Sequence, residues 1–359
     1  MKTESNSVLQ PTPEIDFGRR AYQFRVRGQW LSWRIDRRIA RTNAILALLC
    51  LVFMLLSLAL GRYPVGLGDL VDIARGGGDA TLRTVVLEWR LPRILIAMAL
   101  GGALAMSGAI FQTLTRNPLG SPDIIGFSTG SYTGALLFLV LGAGGSYSLA
   151  FGAMTGGVLT ATAVYLLAFR QGVQGFRLIV VGIGVSAMLS AFNAWLIRKT
   201  DIETAMNAAI WGAGSLNGLS FDDLRSILAL LTLILVALVV LSPSMRQLEL
   251  SEDTVAALGI DVTRIRLSLM MLGVGLTAIV TASAGPIAFI SLAAPQLARR
   301  LVASSSIPLT TSALIGGLLL VAADWIAQNS FASQLPVGIV TTSIGGAYFI
   351  WLLFREQDR

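Results

Sequence analysis

Apolar positions in this chain form long uninterrupted runs separated by short polar segments, with no strand-like alternation. Such runs predict helices that cross a bilayer, because about 20 residues at roughly 1.5 Å per residue span its ~30 Å hydrocarbon core. Backbone groups in that core must be paired within the segment, which selects helices where no barrel pattern exists. The runs fall at about 44–61, 92–112, 123–141, 147–169, 177–198, 224–242, 308–327 and 336–354. A further stretch, 267–298, is too long for one crossing, and Ser283-Ala284-Gly285-Pro286 divides it into a full helix and a short one. The count is ten spans. Pro92 and Pro336 are placed to open helices, as proline does in a first turn, and Pro243 is placed to end one.

Composition supports a lipid-facing fold. Only 13% of residues are charged and 54% are hydrophobic, against about 25% charged in an ordinary soluble domain. The 37 glycines suit helices that approach closely in a membrane. The net charge is +7 with no histidine. The arginines cluster between apolar runs, which fits the bias of basic residues toward cytoplasmic loops rather than nucleic-acid binding. Eight arginines stand between Arg19 and Arg41 against one acid, Asp36. This places the N-terminus in the cytoplasm, and the even count of spans places the C-terminus there too. Trp30, Trp33 and Ile35 are interleaved with these arginines, so part of the tail is expected either to lie on the membrane surface or to be disordered. No cleavable leader is expected, because the first run follows about forty polar residues and lacks a small-residue site behind it. The chain divides into a cytoplasmic arginine-rich tail, 1–41, and a transmembrane domain, 42–359, with an internal polar segment at 244–266. Leu-Pro at 91–92 and 335–336 is followed at equal spacing by Gly-Gly at 101–102 and 345–346, a faint internal echo.

Several chemistries are excluded. The two lysines, Lys2 and Lys199, lie in no phosphate-binding loop. There is no imidazole base and no metal or nucleophile motif, so no catalytic residues, bound cofactor or metal are expected. The one cysteine, Cys50, sits in the first apolar run as a small core residue. An ion-coupled carrier would place acids mid-membrane. The best candidate is Asp324, which beside Trp325 and Gln328 reads as an interfacial structural group.

Several motifs together resemble the FecCD-type permease family of ABC importers for ferric siderophores, haem and vitamin B12. They are Trp-Arg-Leu-Pro-Arg at 89–93, Ser-Gly-Ala-Ile-Phe-Gln at 107–112 and Arg-Asn-Pro-Leu-Gly-Ser-Pro-Asp-Ile-Ile-Gly at 116–126. Ala-Gly-Pro-Ile-Ala-Phe-Ile at 284–290, Ala-Ala-Asp at 322–324 and Leu-Pro-Val-Gly-Ile-Val-Thr at 335–341 follow in order. Residues 176–185 and 211–219 look most like a ferric-enterobactin-type permease subunit. The resemblance implies an all-α, ten-helix permease of the inner membrane. It pairs with a second permease chain, two ATPase subunits that carry ATP and magnesium, and a periplasmic or lipid-anchored binding protein. The cargo is a ferric siderophore, with haem or vitamin B12 as alternatives inside the family and an ion-coupled carrier or a scaffold outside it.

Three groups of residues stand out. Arg90 and Arg93 lie at the expected outer mouth, against the charge rule, and the resemblance implies that they meet acids of the binding protein. Arginine suits that contact because its planar fork binds carboxylate bidentately. Some relatives carry a further arginine where this chain has Gln328. In Ser-Glu-Asp-Thr-Val-Ala-Ala-Leu-Gly at 251–259, Ser251 can cap a short helix, Glu252 and Asp253 favour its positive end, and Gly259 can terminate it. The resemblance makes this the element that fits a groove on the ATPase, with Glu252, Asp253, Ala257, Leu258 and Gly259 as contacts. Along the fifth run, Ser186 and Asn193 are polar positions on an apolar helix, expected to face the translocation pathway.

Overall fold

A computed structural model describes residues 21–25, 32–123, 125–142, 145–169, 175–249, 252–257, 259, 261–304 and 306–357. Its elements are strands β1 (Ala21–Arg25) and β2 (Ser32–Asp36) and helices α1 (Arg37–Ala59), α2 (Leu67–Ala74), α3 (Ala80–Arg83), α4 (Leu91–Thr115), α5 (Phe127–Val140), α6 (Ser146–Ala168) and α7 (Gly175–Lys199). There follow α8 (Ile202–Gly212), α9 (Phe221–Gln247), α10 (Glu252–Ala257), α11 (Val262–Ala284), α12 (Ile290–Val302), α13 (Leu309–Asn329) and α14 (Val337–Gln357). Among the described residues seven helices are long and apolar enough to cross a membrane, and two shorter apolar ones cover Phe127–Val140 and Val337–Tyr348. With the short helix α12 these are ten helices, one at the place of each span expected of the sequence.

The centre of the bundle is α4, buried along most of its length and packed against α13, α11 and α12. The approach of α4 to α13 is set by Gly101 and Gly316. A Cβ on either residue would run into the other's carbonyl oxygen. Small residues at such a crossing gain close van der Waals packing in a solvent that offers no hydrophobic drive. Across the other face, Ser107 Oγ donates to the Gly273 carbonyl, 2.7 Å away on α11. By contrast α1 and α9 leave many large apolar side chains exposed, as helices bordering lipid do. In the faint internal echo, Gly101 meets a backbone whereas Gly345 meets the ring of Phe289 and Gly346 meets nothing.

Helix α12 has 13 residues, about 20 Å, and cannot cross the core alone. The chain reaches it through an extended segment opened by Gly285 at φ 72° and closed by Phe289 at φ 79°. Non-helical backbone at this depth needs protein partners. The Ser215 amide bonds the Ala284 carbonyl at 2.7 Å, and the Gly338 amide bonds that of Gly214 at 3.2 Å.

Several expected boundaries move. Pro92 does not open a helix after a loop: helix runs without a break over Ala80–Thr115, with a π-helical stretch at Thr84–Arg90 just before it. The wider i→i+5 register absorbs the donor that proline lacks. The segment 62–91 is thus largely helical. Pro243 lies inside α9 instead of ending it, and α5 starts at Phe127 rather than at 123. The segment 199–223 contains α8, whose cap Asp201 accepts from the Thr204 amide at 2.9 Å. Those bonds from Thr204 hold the Asp201 carboxyl below the usual carboxylate range.

Candidate functional site

Where α4 begins and α13 ends, the bundle opens into a cavity of about 850 Å³ lined by residues of α1, the π-helical stretch, α4, α13 and the 216–220 turn. At its wall Arg93 donates through Nε and Nη2 to Oδ2 and Oδ1 of Asp324, at 2.8 and 2.7 Å. Its Nη1 donates to Asn217 Oδ1, and Gln328 Nε2 donates to Asp324 Oδ2 at 2.6 Å. The two charged side chains are only 13% and 4% exposed. A planar fork fitted to a carboxylate, with spare lone pairs and N–H groups satisfied by amides, meets the condition under which a buried pair is tolerated.

Arg90 is spent differently. Its Nη1 and Nη2 donate to the carbonyls of Leu58 and Tyr63, each at 2.6 Å. Arg62 Nη2 likewise donates to the carbonyls of Phe331 and Ala332, at 2.8 and 2.9 Å. Arginines thus tie together the chain segments around the mouth, with carbonyls at helix ends as acceptors. Neither sequence-selected arginine extends a vacant fork from the surface; the exposed side chains beside them are Glu88 and Trp89, the latter 65% exposed. A charge reversal at Arg93 would set two acids against each other and could not leave the fold untouched. Replacing Arg90 with alanine strips two carbonyls of their donor and should cost about 1–3 kcal/mol locally. Faster hydrogen exchange around 58–63, with the rest of the bundle unchanged, is the expected result.

At the opposite end of the bundle lie Arg116, Arg246, Arg264, Arg299 and Arg300, with the arginines that begin α1. Here α10 occupies Glu252–Ala257, Gly259 is left-handed at φ 75°, and α11 is capped by Asp261, whose Oδ1 accepts from the Arg264 amide at 3.1 Å. Val255 is buried and anchors the short helix, whereas Thr254 and Ala257 are exposed. Glu252 and Asp253 form its first turn; Ser251 and Leu258 lie outside the described residues.

The polar positions on α7 are covered within this chain. Asn193 is 4% exposed and Ser186 Oγ is covered, lying against Gly126. The free face of α7 is the apolar one, with Ile183, Met188, Phe192 and Trp195. A polar residue on an apolar helix turns toward its neighbours in the bundle when the alternative is lipid.

Sequence reasoning passed over a second polar seam. Asp123, in the turn between α4 and α5, accepts from Ser128 Oγ and from Ser291 Oγ, the latter at 2.9 Å. Gln112 on α4 donates to the Leu292 carbonyl at 3.0 Å, and Gln296 on α12 donates to Gln112 Oε1 at 2.5 Å. These bonds moor the half-crossing helix α12 to α4. Among the described residues no group of three or more acidic, cysteine or histidine side chains could hold a metal ion.

The chain matches the FecCD transport family over residues 49–355. It is 47% identical to the ferric enterobactin transport system permease protein FepG of Escherichia coli over 326 residues, 90% of this chain and 99% of that one. It is 35% identical to the iron(3+)-hydroxamate import system permease protein FhuG of Bacillus subtilis, covering 88% of this chain and 96% of that one. Among solved structures it matches an inward-facing metal-chelate type ABC transporter with a TM-score of 0.79 and 29% identity, over 88% of this chain and 99% of that one.

Proposed function

The chain belongs to the FecCD transport family, and we propose that it is the permease subunit of an ATP-driven inner-membrane importer whose cargo is a ferric siderophore. Permeases of this family are not themselves enzymes. The observation that carries the reading is 47% identity across nine-tenths of the chain to a ferric enterobactin permease. Relatives named for hydroxamate and achromobactin transport share about a third of their residues with it, which supports siderophores as a class.

In this reading the cavity end faces outward and the arginine-rich end faces the cytoplasm, where both termini lie. The binding protein docks over the mouth. Arg90 and Arg93 serve that docking by holding its loops in shape, and Glu88 and Trp89 offer the exposed surface. A second permease chain covers apolar faces left open in this one, such as that of α7, and the translocation pathway runs between the two chains. Two ATPase subunits meet α10 from below. A six-residue helix anchored by Val255 and followed by a left-handed glycine presents a small knob to a groove.

Two outcomes test this. Loss of the gene should abolish accumulation of radio-iron supplied as a ferric siderophore while leaving uptake of simple iron salts unchanged; unchanged siderophore uptake would refute the cargo. Ala257→Trp adds bulk to an exposed position without touching the core. It should cut transport at least about tenfold, equivalent to 1.4 kcal/mol or more of lost coupling, while the protein keeps its thermal midpoint.

A further inference from the structure

Arg116 stands where a glycine would be less strained. It closes α4 in the left-handed conformation, at φ 50° and ψ 33°. A Cβ in that conformation crowds the following carbonyl, so helices commonly end there on glycine. An outlier of this kind points to what its side chain does. Nη2 of Arg116 donates to the Leu248 carbonyl at 3.0 Å, across a sequence separation of 132 residues. Leu248 is the C-cap of α9, so the guanidinium meets the carbonyl-rich, negative end of that helix.

What Arg116 grips is the approach to α10. Leu248 is buried with Met245 in the main apolar core, and α10 begins shortly after it at Glu252. Next to Leu248, the Glu249 carboxylate faces the Ile307 amide beyond α12, with Arg299 and Arg246 nearby. Upstream, Pro243 lies inside α9 and cannot donate to the Val239 carbonyl one turn back. Ser242 Oγ donates to that carbonyl instead, at 3.0 Å. A helix that has lost a backbone bond at proline bends there most readily. The piece from Pro243 to α10 is therefore a short arm, jointed to α9 at one end and held to the end of α4 at the other. Helices α11, α12 and α13 pack around α4, and the first turn of α4 carries the Arg93–Asp324 pair at the mouth.

We propose that Arg116 is a positioning residue for transport: its hold on Leu248 passes movement of α10 into α4, and so joins the ATPase-facing end of the bundle to its centre. This rests on the reading of α10 as the element that the ATPase meets. Without the grip, the arm swings at Pro243 and α4 stays behind. Hydrolysis on the partner subunits continues, but less of each stroke reaches the helices that must part.

Three replacements separate the grip from the fold. Arg116→Gly removes the grip and relieves the backbone. Arg116→Ala removes the grip and keeps the left-handed crowding. Arg116→Lys keeps a cation that can donate to the carbonyl. Each is assembled with the second permease chain, ATPase and binding protein in proteoliposomes. Radio-iron siderophore accumulated per ATP hydrolysed is measured beside the thermal midpoint of the permease. The glycine variant should melt above the alanine variant. Both should accumulate about tenfold less iron per ATP than the parent, and the lysine variant should recover most of that loss. Parental iron per ATP in Arg116→Gly would overturn the proposal. So would losses that follow the order of the midpoints, which mark a structural role. A fall in hydrolysis matching the fall in uptake would overturn it too, because it marks failed assembly. Ala257→Trp in the same assembly reads the premise. If it transports normally, the premise fails and the proposal with it; if it uncouples while Arg116→Gly does not, the grip alone is wrong.

Discussion

Either Arg93→Leu or Asp324→Leu alone is expected to destabilise the permease by about 3–5 kcal/mol, and the double replacement is expected to recover most of that loss. The reason lies in what each single change leaves behind. The pair joins the first turn of α4 to α13 near its C-terminal end, the two helices at the centre of the bundle, and both side chains are largely buried. Removing one partner strands a charge where water is scarce, with only Asn217 or Gln328 to solvate it. Removing both trades an ion pair for apolar packing, which often balances. Thermal unfolding in detergent, followed by the fraction that stays monodisperse, reads all three variants on one scale. Arg93→Lys separates geometry from charge, because an ammonium cannot make the bidentate contact. Additive losses in the double variant would show that the pair is not coupled.

The second large effect is expected from the smallest change, Gly108→Ala. At this position α4 passes directly over the start of α12, and a Cβ would sit 2.5 Å from the carbonyl carbon of Ser291 and 2.9 Å from its Cα. The obstacle is backbone, so no rotamer change relieves it. Overpacking of this kind costs about 3 kcal/mol or more. It would also lever α12 off the bonds from Gln112 and Asp123 that position it. Little correctly inserted protein should result. Gly346→Ala is the control: nothing lies within 4 Å of its added Cβ, and stability should be unchanged.

How much of this was legible in the sequence depends on the distance over which the signal acts. The ten helices at the expected spans are written in apolar runs, which are local, and the break at Ser283–Pro286 was visible because Gly and Pro act on their own backbone. Helix boundaries near Pro92 and Pro243 were misjudged for the opposite reason. A proline inside a helix is tolerated when the register widens or neighbours help, and nothing local to the residue says so. The mouth is the clearest case. Arg93 and Asp324 were each picked out, but singly, as a docking group and an interfacial acid. Their separation of 231 residues hides the pair. The one available clue was topological: Leu-Pro-Arg begins a span and Ala-Ala-Asp closes another at the same face. For Ser186 and Asn193, polarity marks the position but not which way the helix is turned. The hairpin of the tail was invisible as strands, since Tyr22, Phe24, Trp33 and Ile35 alternate over only a few residues within an arginine-rich stretch.

One reconstitution tests the central claim most directly. The purified chain is placed in proteoliposomes, alone or with its second permease chain, ATPase and binding protein, and accumulation of radio-iron siderophore is followed. Accumulation should appear only in the full assembly, with ATP supplied at the arginine-rich end, and imposed proton or sodium gradients should drive none. Accumulation by the isolated chain on an ion gradient would contradict the account.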